Sequence, residues 1–339
     1  MHTSGNGGAV HGGTDALGVP AWDFSTNSNA AGPCPHTVEA LAAADATRYP
    51  DPAYTQLREV LAALHGVAVQ RIVIGASGSE LIVRLTCWTA LRNAGQAKVW
   101  TPLHAYGDYA HAAQQHGLQG TPGIASADLV WLCAPSSPLG QVLALPDGWK
   151  QRQPGATVVL DCAYAPLKLD SDDVAPGLDK NSTWQIWTPN KALGLCGIRA
   201  AYAIAPEHTD LQTVQSLAAL APSWPVGAHG VALLENWCTA QTRQWLDTSH
   251  TTLRQWKQQQ TGMLHAHSWQ ILPSRTNFFV AQPDLPAGMP FADWLLRLRQ
   301  HGIKLRDCAS FGLPGHVRLC VHTPPAQTAL NQALRSVRG

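Results

Sequence analysis

The chain has 339 residues, of which 45% are hydrophobic, and its 23 basic and 22 acidic residues give a formal net charge of +1. A chain of this length buries a sizeable core and is long enough for two domains. The near-neutral charge excludes a basic field for nucleic acid and an acidic tail, so the expected partner is a small molecule. No run of about 18 apolar residues occurs, and the sequence therefore predicts no membrane span.

The eight cysteines include no C-x-x-C pair, and most lie in apolar runs such as VWLCAP. Free cysteine in such a run packs as a small hydrophobic residue. Together with an N-terminus, MHTSGNGGAV, that has no leader pattern, this predicts a reducing, cytoplasmic setting. The 15 histidines are scattered without ligand spacing, so no metal site is predicted.

The predicted elements begin after the first 50 residues, which are rich in glycine and turn formers and are expected to be irregular. From there, apolar strands alternate with helical patterns. Helices are predicted over 54–66, 78–95 and 108–117, and strands over 71–76, 98–102, 128–135, 157–164 and 184–188. This alternation indicates an α/β fold with a mostly parallel central sheet and helices on both faces.

A helical pattern over 226–260 is longer than one ordinary helix, and we expect it to bridge two lobes. The elements that follow predict a smaller C-terminal α+β domain, with strands at 269–272, 277–281, 302–306 and 316–322 and helices over 292–302 and 326–338. The expected organisation is an N-terminal arm and substrate segment over 1–50, a large domain over 51–225, and an interdomain helix with a small domain over 226–339.

Polar residues that end the predicted strands are the candidates for chemistry, because ligands collect beyond the carboxyl ends of parallel strands. Lys191 follows the strand of 184–188 among small and apolar neighbours. An amine in such surroundings is a plausible Schiff-base nucleophile, since desolvation disfavours the ammonium form. Arg199, on the same loop, offers a planar donor fork to a phosphate. For the lysine taken alone, a surface side chain beside a glycine turn is the alternative.

Asp161 ends the strand TVVLD, where a carboxylate is costly unless it pairs with a cation. A pyridinium nitrogen could be that cation, and pairing of an aspartate with this nitrogen makes pyridoxal phosphate an electron sink. Gly78 and Ser79, where a strand runs through glycines into a helix, offer backbone amides to a phosphate. Tyr164 follows Asp161 on the same loop, within reach of the phenolic oxygen of such a cofactor. Tyr106, after another strand, can lie on an aromatic ring or belong to the core.

Three of these stretches resemble the fold type I pyridoxal-phosphate enzymes of the histidinol-phosphate aminotransferase branch. They are KALGLCGIR over 191–199, VVLDCAY over 158–164, and APSSPLG over 134–140. The order of motifs matches over nearly the whole chain. The resemblance implies a fold type I transferase, pyridoxal 5'-phosphate as cofactor, and a homodimer.

Within that branch, the N-terminal stretches HGG (11–13), DFSTNSN (23–29) and RYPDPAY (48–54) are similar to the threonine-phosphate decarboxylases, as is the C-terminal stretch over 302–323. The expected function is therefore decarboxylation of L-threonine O-3-phosphate to aminopropanol phosphate in cobalamin biosynthesis. The alternative is an aminotransferase of the histidinol-phosphate type. The same residues serve both reactions, because the outcome depends on which bond at the substrate Cα stands perpendicular to the cofactor ring.

The resemblance also implies a role for each matching residue. Lys191 would bind the cofactor covalently, Asp161 would pair with its ring nitrogen, and Tyr106 would stack on its ring. The other implied cofactor contacts are Gly78, Ser79, Ser137, Tyr164, Asn190 and Arg199, with Tyr54 reaching the site of a partner subunit. The implied contacts of the amino-acid phosphate substrate are His11, Gly12, Gly13, Asn29, Arg306 and Arg318.

Two positions depart from the family pattern. Ser137 stands where the family's N-N-P-T-G turn has an asparagine that bonds the cofactor's phenolic oxygen, and Asn190 replaces the hydroxyl residue before the lysine. Serine is shorter, so we expect its bond to the ring oxygen to be lost or carried by water. These departures motivate a third hypothesis, a cofactor-free descendant that acts as a binding or assembly protein.

Overall fold

The computed structural model describes residues 12–171 and 173–338. The N-terminal part contains strand β1 and helix α1, which are Trp22–Asp23 and Pro35–Ala43. The central sheet has seven strands: β2 (Ile72–Gly75), β3 (Lys98–Trp100), β4 (Gln119–Gly120), β5 (Leu129–Cys133), β6 (Thr157–Asp161), β7 (Trp184–Trp187) and β8 (Ala201–Ile204). Their order is β2-β8-β7-β6-β5-β3-β4, and β8 alone in this sheet runs antiparallel to its neighbours.

Helices lie before, between and after these strands, and the second and third of them connect β2 to β3 and β3 to β4. They are α2 (Thr55–His65), α3 (Gly78–Arg92), α4 (Gly107–Gln115) and α5 (Leu211–Ala218). Every residue of β5 and β6 is buried, which is why both strands read as apolar runs rather than as alternating patterns. The mostly parallel central sheet expected from the sequence is confirmed, and it directs the carboxyl ends of β5, β6 and β7 to one edge.

The C-terminal part forms a second, antiparallel sheet with helices packed beside it. Its elements are α6 (Ala228–Trp237), α7 (Ala240–Ala266), β9 (Gln270–Ile271), β10 (Phe278–Gln282), α8 (Phe291–Gln300), β11 (Ile303–Lys304), β12 (Arg306–Asp307), β13 (Val317–Cys320) and α9 (Pro324–Arg338). The four-stranded order is β12-β13-β10-β9. No helix of the described chain meets the length and apolarity of a bilayer-spanning segment.

The long helical pattern over 226–260 is divided in the structure between α6 and α7. The division comes at Thr239, whose side chain accepts a hydrogen bond from the Thr242 amide and so caps the start of α7. A capping threonine satisfies an amide that has no partner within the helix, which favours a new helix start. One continuous pattern of apolar residues therefore spans two helices.

The expectation that the first 50 residues are irregular is wrong for α1 and β1. Helix α1 begins with Pro35 at its first position, where the missing proline N–H costs nothing. Strand β1 pairs in parallel with β11, and the Phe24 amide donates to the Lys304 carbonyl at 2.9 Å. Because the partner strand lies near the other end of the chain, local sequence gives no sign of this pairing.

Candidate active site

A cavity of ≈ 270 Å³ lies beyond the carboxyl ends of β6 and β7. Asp161 and Lys191 both line it, as the proposed cofactor chemistry requires. Among the described residues, its lining comprises Gly12, Ser25, Thr26, Asn27, Ser77, Gly78, Ser79, Ile82, Tyr106, Ser137, Asp161, Ala163, Tyr164, Thr188, Asn190, Lys191, Cys196, Arg199, Ala200, Arg306, Phe311 and Arg318. The strand-end residues singled out from the sequence thus meet in one space.

Asp161 is the last residue of β6 and is 6% exposed. The Tyr109 hydroxyl donates to its Oδ2 at 2.7 Å, and the Ala163 amide donates to its Oδ1 at 2.9 Å. Burial raises the pKa of the Asp161 carboxyl, while these two hydrogen bonds and the nearby charge of Lys191 act in the opposite direction. A cationic ring nitrogen placed against this carboxylate would add the counter-charge that its buried position calls for.

Lys191 lies on the loop after β7, and its Nζ is 5.6 Å from the centre of the Tyr164 ring. Two hydrogen bonds fix its backbone. The Asn29 amide donates to the Lys191 carbonyl at 2.9 Å, and the Lys191 amide donates to Asn190 Oδ1 at 3.0 Å. The loop is therefore held while the amine points into the cavity.

The start of α3 forms one end of the cavity. Gly78 and Ser79 are its first two residues, and the Ser77 side chain caps the helix by accepting from the Glu80 amide at 3.1 Å. The amides of a helix N-terminus and its dipole favour an anion. Arg199 lines the same cavity, and its guanidinium has no polar partner among the described residues. This end therefore suits a phosphate.

Thr188 directly follows β7 and was missed by the sequence reasoning. Its Oγ1 is buried and has no hydrogen-bond partner among the residues described, although a buried hydroxyl normally has one. A Cβ on Gly78 would come within 2.9 Å of Thr188 Cγ2, so only glycine fits beside it. The signal available in the sequence was its place among the polar residues that end a strand, three residues before Lys191.

The middle of the cavity is bounded by aromatic and small polar side chains. The Tyr106 hydroxyl lies 3.3 Å from Ser79 Oγ. The Tyr164 hydroxyl accepts from Asn27 Nδ2 at 3.1 Å. Ser137 is 3% exposed and lines the cavity in the position expected from its turn. These side chains can enclose a flat ring between Asp161 and the lysine.

Arg306 and Arg318 lie directly opposite each other on β12 and β13, and both line the cavity. Their guanidinium groups lie 4.7 and 5.5 Å from the centre of the Phe311 ring. Burial, and secondarily the charge of Arg318, lowers the pKa of Arg306. Arg318 donates from Nη2 to the Ser25 carbonyl at 3.2 Å, while its buried Nε has no partner in the described part of the chain. Two buried, adjacent cations favour a dianionic ligand.

The N-terminal residues predicted to contact the substrate differ in where they lie. Gly12 lines the cavity, whereas the Gly13 amide donates to Ser25 Oγ at 2.8 Å and its carbonyl accepts from Lys304, away from the lining. His11 lies outside the described residues.

The assignment of Asn29 as a substrate contact is not supported by its position. Its Nδ2 donates to the Ala192 carbonyl at 3.0 Å and to Ser249 Oγ at 2.8 Å, so it fixes the lysine loop instead. Asn27, two residues earlier, lines the cavity, and its buried Oδ1 has no partner within residues 12–171 and 173–338. Asn190 also lines the cavity, but its Nδ2 is directed to the Cys196 and Ile198 carbonyls, so it holds its own loop.

Tyr54, which the resemblance assigns to the site of a partner subunit, is held inside its own chain. It is 6% exposed, and its hydroxyl donates to the Val226 carbonyl at 2.7 Å and accepts from the Val226 amide at 3.0 Å. Both hydrogen-bonding roles of the phenol are thus used inside the chain. The tyrosine of the RYPD stretch itself is Tyr49, which is 78% exposed and stacks on Trp224.

The residues present fit pyridoxal phosphate. Among the residues that the structure describes, three that line this cavity carry a buried polar atom without a hydrogen-bond partner, namely Thr188 Oγ1, Asn27 Oδ1 and Arg318 Nε, and a ligand with acceptors and donors would satisfy them. The acid, the amine and the helix N-terminus lie around one space of suitable size for a small molecule. Among the described residues, no cluster of His, Cys, Asp and Glu is arranged to hold a metal ion.

Comparisons with known proteins agree with this geometry. A sequence profile of the family "Aminotransferase class I and II" matches residues 20–334. The histidinol-phosphate aminotransferase of Symbiobacterium thermophilum is 27% identical over 342 residues, covering 93% of this chain and 90% of that protein. The structure of histidinol-phosphate aminotransferase from Sinorhizobium meliloti, in complex with pyridoxal-5'-phosphate, superposes with a TM-score of 0.76 at 22% identity, over 94% of this chain and 91% of that one.

The expectation of a threonine-phosphate decarboxylase is overturned by these comparisons. Further curated relatives that match most of the chain are also histidinol-phosphate aminotransferases, at 26 to 28% identity. The structure of L-threonine-O-3-phosphate decarboxylase from Porphyromonas gingivalis has a TM-score of 0.68 at 20% identity, covering 89% of this chain and 93% of that one, and shares the fold alone. The motifs that suggested a decarboxylase are three short N-terminal stretches and one C-terminal stretch, whereas the relatives match over most of the chain.

Proposed function

Because the chain belongs to the aminotransferase class I and II family, we propose that it is an aminotransferase of the histidinol-phosphate type. Its fold is fold type I, and its cofactor is pyridoxal 5'-phosphate. The observation that carries the proposal is the meeting of Lys191 and Asp161 in one cavity with the adjacent pair Arg306 and Arg318. The amine and the acid serve the cofactor, and the two arginines face the substrate.

Each residue has a task that follows from its position. Lys191, Asp161, Thr188, Arg199 and the start of α3 would hold the cofactor, with Tyr106 beside its ring. When bound, pyridoxal phosphate supplies a protonated heteroaromatic ring that draws electrons from the substrate Cα. Asp161 keeps a negative charge against the ring nitrogen. Lys191 Nζ is the base that removes the proton from the substrate Cα, since it is the amine that points into the cavity.

The arginine pair supports a phosphorylated amine as the substrate. A phosphate monoester carries close to two negative charges at neutral pH and offers three acceptor oxygens. Arg306 and Arg318 lie at the side of the cavity formed by β12 and β13, while Thr188 and the start of α3 lie at the large-domain side. Two separate anion-binding groups in one cavity match a phosphorylated cofactor and a phosphorylated substrate bound together.

The proposed activity is tested by amino transfer from histidinol phosphate to 2-oxoglutarate. We expect glutamate to form with the purified protein loaded with pyridoxal phosphate, and histidinol without its phosphate to react about 100-fold less efficiently, since a buried charge-assisted contact is lost. The measurement is kcat/KM for both amines with coupled glutamate detection. Carbon dioxide release from threonine phosphate without any amino transfer would contradict the proposal.

We further propose that the chain functions as a homodimer. Tyr49 and Trp224 stack at 4.5 Å with 23° between their rings, yet they are 78% and 39% exposed. Exposed aromatic side chains of this kind are enriched at the cores of protein interfaces. Light scattering should give a mass of twice the 36.3 kDa of one chain, and the double substitution Tyr49→Ala with Trp224→Ala should shift it toward one chain. A monomer at micromolar concentration in the unmodified protein would contradict this proposal.

A further inference from the structure

Tyr109 lies one layer behind the cavity and does not belong to its lining. It is fully buried, stacks on Trp131 at 4.7 Å with 4° between the rings, and meets the Tyr106 ring edge-on at 5.8 Å. Its hydroxyl donates to Asp161 Oδ2 at 2.7 Å. Its packing against Trp131 and Tyr106 therefore fixes the direction in which the Tyr109 hydroxyl donates to Asp161, the acid expected to face the ring nitrogen of the cofactor.

We infer that Tyr109 is a positioning residue that holds Asp161 as the carboxylate and thereby keeps the proton of the pair on the cofactor's ring nitrogen. The inference rests on the proposed function, because it concerns the cofactor that the proposal requires. It goes beyond the proposal by assigning the protonation of the ring to a second residue that touches neither cofactor nor substrate.

The physical basis is the competition between burial and hydrogen bonding at Asp161. Burial disfavours the carboxylate, and the Tyr109 hydroxyl is one of only two hydrogen-bond donors to it in the described structure. The phenol remains a donor because burial, reinforced by the charge of Asp161, raises the pKa of Tyr109 well above its ordinary value. Without the Tyr109 hydroxyl, the Asp161 carboxylate becomes a stronger base than the ring nitrogen of the cofactor. The proton that they share then moves from the ring nitrogen to the carboxyl group.

The test is Tyr109→Phe, which removes the hydroxyl but retains the ring stacked on Trp131. Holoenzyme is prepared with pyridoxal phosphate labelled with nitrogen-15 in its ring, and the nitrogen resonance is recorded by NMR. We expect the protonated-ring signal of the unmodified enzyme to shift toward the unprotonated position in the variant. We also expect cofactor affinity to fall about 10-fold or more, the usual result of losing a hydrogen bond to a charged group.

Tyr202→Phe is the matched control. Tyr202 is also fully buried, and its hydroxyl accepts from Trp237 Nε1 at 3.2 Å, but it does not line the cavity or contact Asp161. Loss of the Tyr202 hydroxyl should lower the Tm without shifting the nitrogen-15 resonance of the cofactor ring. A merely structural role for Tyr109 would give the same result as this control.

A double substitution separates an effect through Asp161 from a general loss of packing. If Tyr109 acts through Asp161, then adding Tyr109→Phe to Asp161→Asn should change the nitrogen signal and the cofactor affinity no further. A protonated-ring signal retained in Tyr109→Phe, or additive losses in the double variant, would overturn the inference. Failure of the unmodified protein to bind the cofactor at all would instead overturn the proposed function.

Discussion

Replacing Lys191 by alanine should abolish amino transfer, with kcat reduced on the order of 10⁴-fold, the upper range for removal of a positioned acid–base group. The visible absorbance band of the cofactor bound to the enzyme should disappear, because no other lysine lines the described cavity. Noncovalent binding should persist through Asp161, Arg199 and the start of α3. Steady-state kinetics and an absorbance spectrum of the reconstituted variant provide the measurements.

The control for this substitution is Lys98→Ala. Lys98 is exposed on β3, away from the lining of the cavity, and its loss should leave both the rate and the spectrum unchanged. An external primary amine should restore part of the rate to Lys191→Ala, since it can supply the missing base at the same place. A rate within tenfold of the unmodified enzyme would show that Lys191 is not the base.

The residues that end the buried strands were predictable from the sequence. Asp161 and Lys191 follow runs whose apolar character comes from burial on both faces of the sheet, and the parallel arrangement brings these ends together. In such an arrangement, a polar residue after an apolar run has few places to lie other than the edge where ligands bind. Thr188 obeys the same rule and could have been included.

The N-terminal segment was not predictable in the same way. Asn27 and Asn29 are two residues apart in a stretch without regular structure, and sequence alone does not say which one faces the ligand. Tertiary contacts decide it, because Asn29 is bound to Ala192 and Ser249, while Asn27 lies against the Tyr164 hydroxyl. The burial of Tyr54 was unpredictable for a similar reason, since Val226, which its hydroxyl contacts, is distant in the sequence.

The sequence motifs also did not determine the type of reaction. The residues around Lys191 and Asp161 supply the cofactor chemistry common to several reactions, so they carry no information about which substrate bond breaks. The short stretches taken to indicate a decarboxylase supplied only a few positions, and of these, Asn29 and Gly13 do not line the cavity. The comparisons over most of the chain therefore correct the function without altering the reading of the cofactor site.

Replacing Arg318 by alanine should weaken substrate binding far more than cofactor binding. We expect KM for histidinol phosphate to rise about 100-fold or more, because truncating one partner of a buried charge pair costs about 2–5 kcal/mol. Pyridoxal phosphate affinity should change less than about threefold, since the cofactor-binding groups lie at the other side of the cavity. The measurements are KM from initial rates and the cofactor dissociation constant from a fluorescence titration.

Two further substitutions separate charge from geometry at this position. Arg318→Lys keeps the positive charge but loses the planar fork, so it should fall between alanine and the unmodified enzyme. Arg297→Ala removes an exposed arginine from α8 and should change neither KM nor cofactor affinity. Equal losses of substrate and cofactor affinity in Arg318→Ala would show that Arg318 acts on the whole cavity rather than on the substrate.

The effect of substrate on the Tm should also show that Arg306 and Arg318 bind the substrate. Arg306 and Arg318 place two positive charges side by side in a buried location, and burial, followed by the charge of Arg318, lowers the pKa of Arg306. Without ligand, Arg318→Ala should therefore lower Tm less than the loss of a buried, hydrogen-bonded side chain usually does, because removing a repulsive neighbour offsets the lost hydrogen bond to the Ser25 carbonyl. Substrate should raise Tm in the unmodified enzyme and raise it much less in the variant, since binding to the native state is what stabilises it. A stabilisation by substrate that depends on Arg318 would identify the pair as groups that bind an anion rather than groups that only hold the fold together.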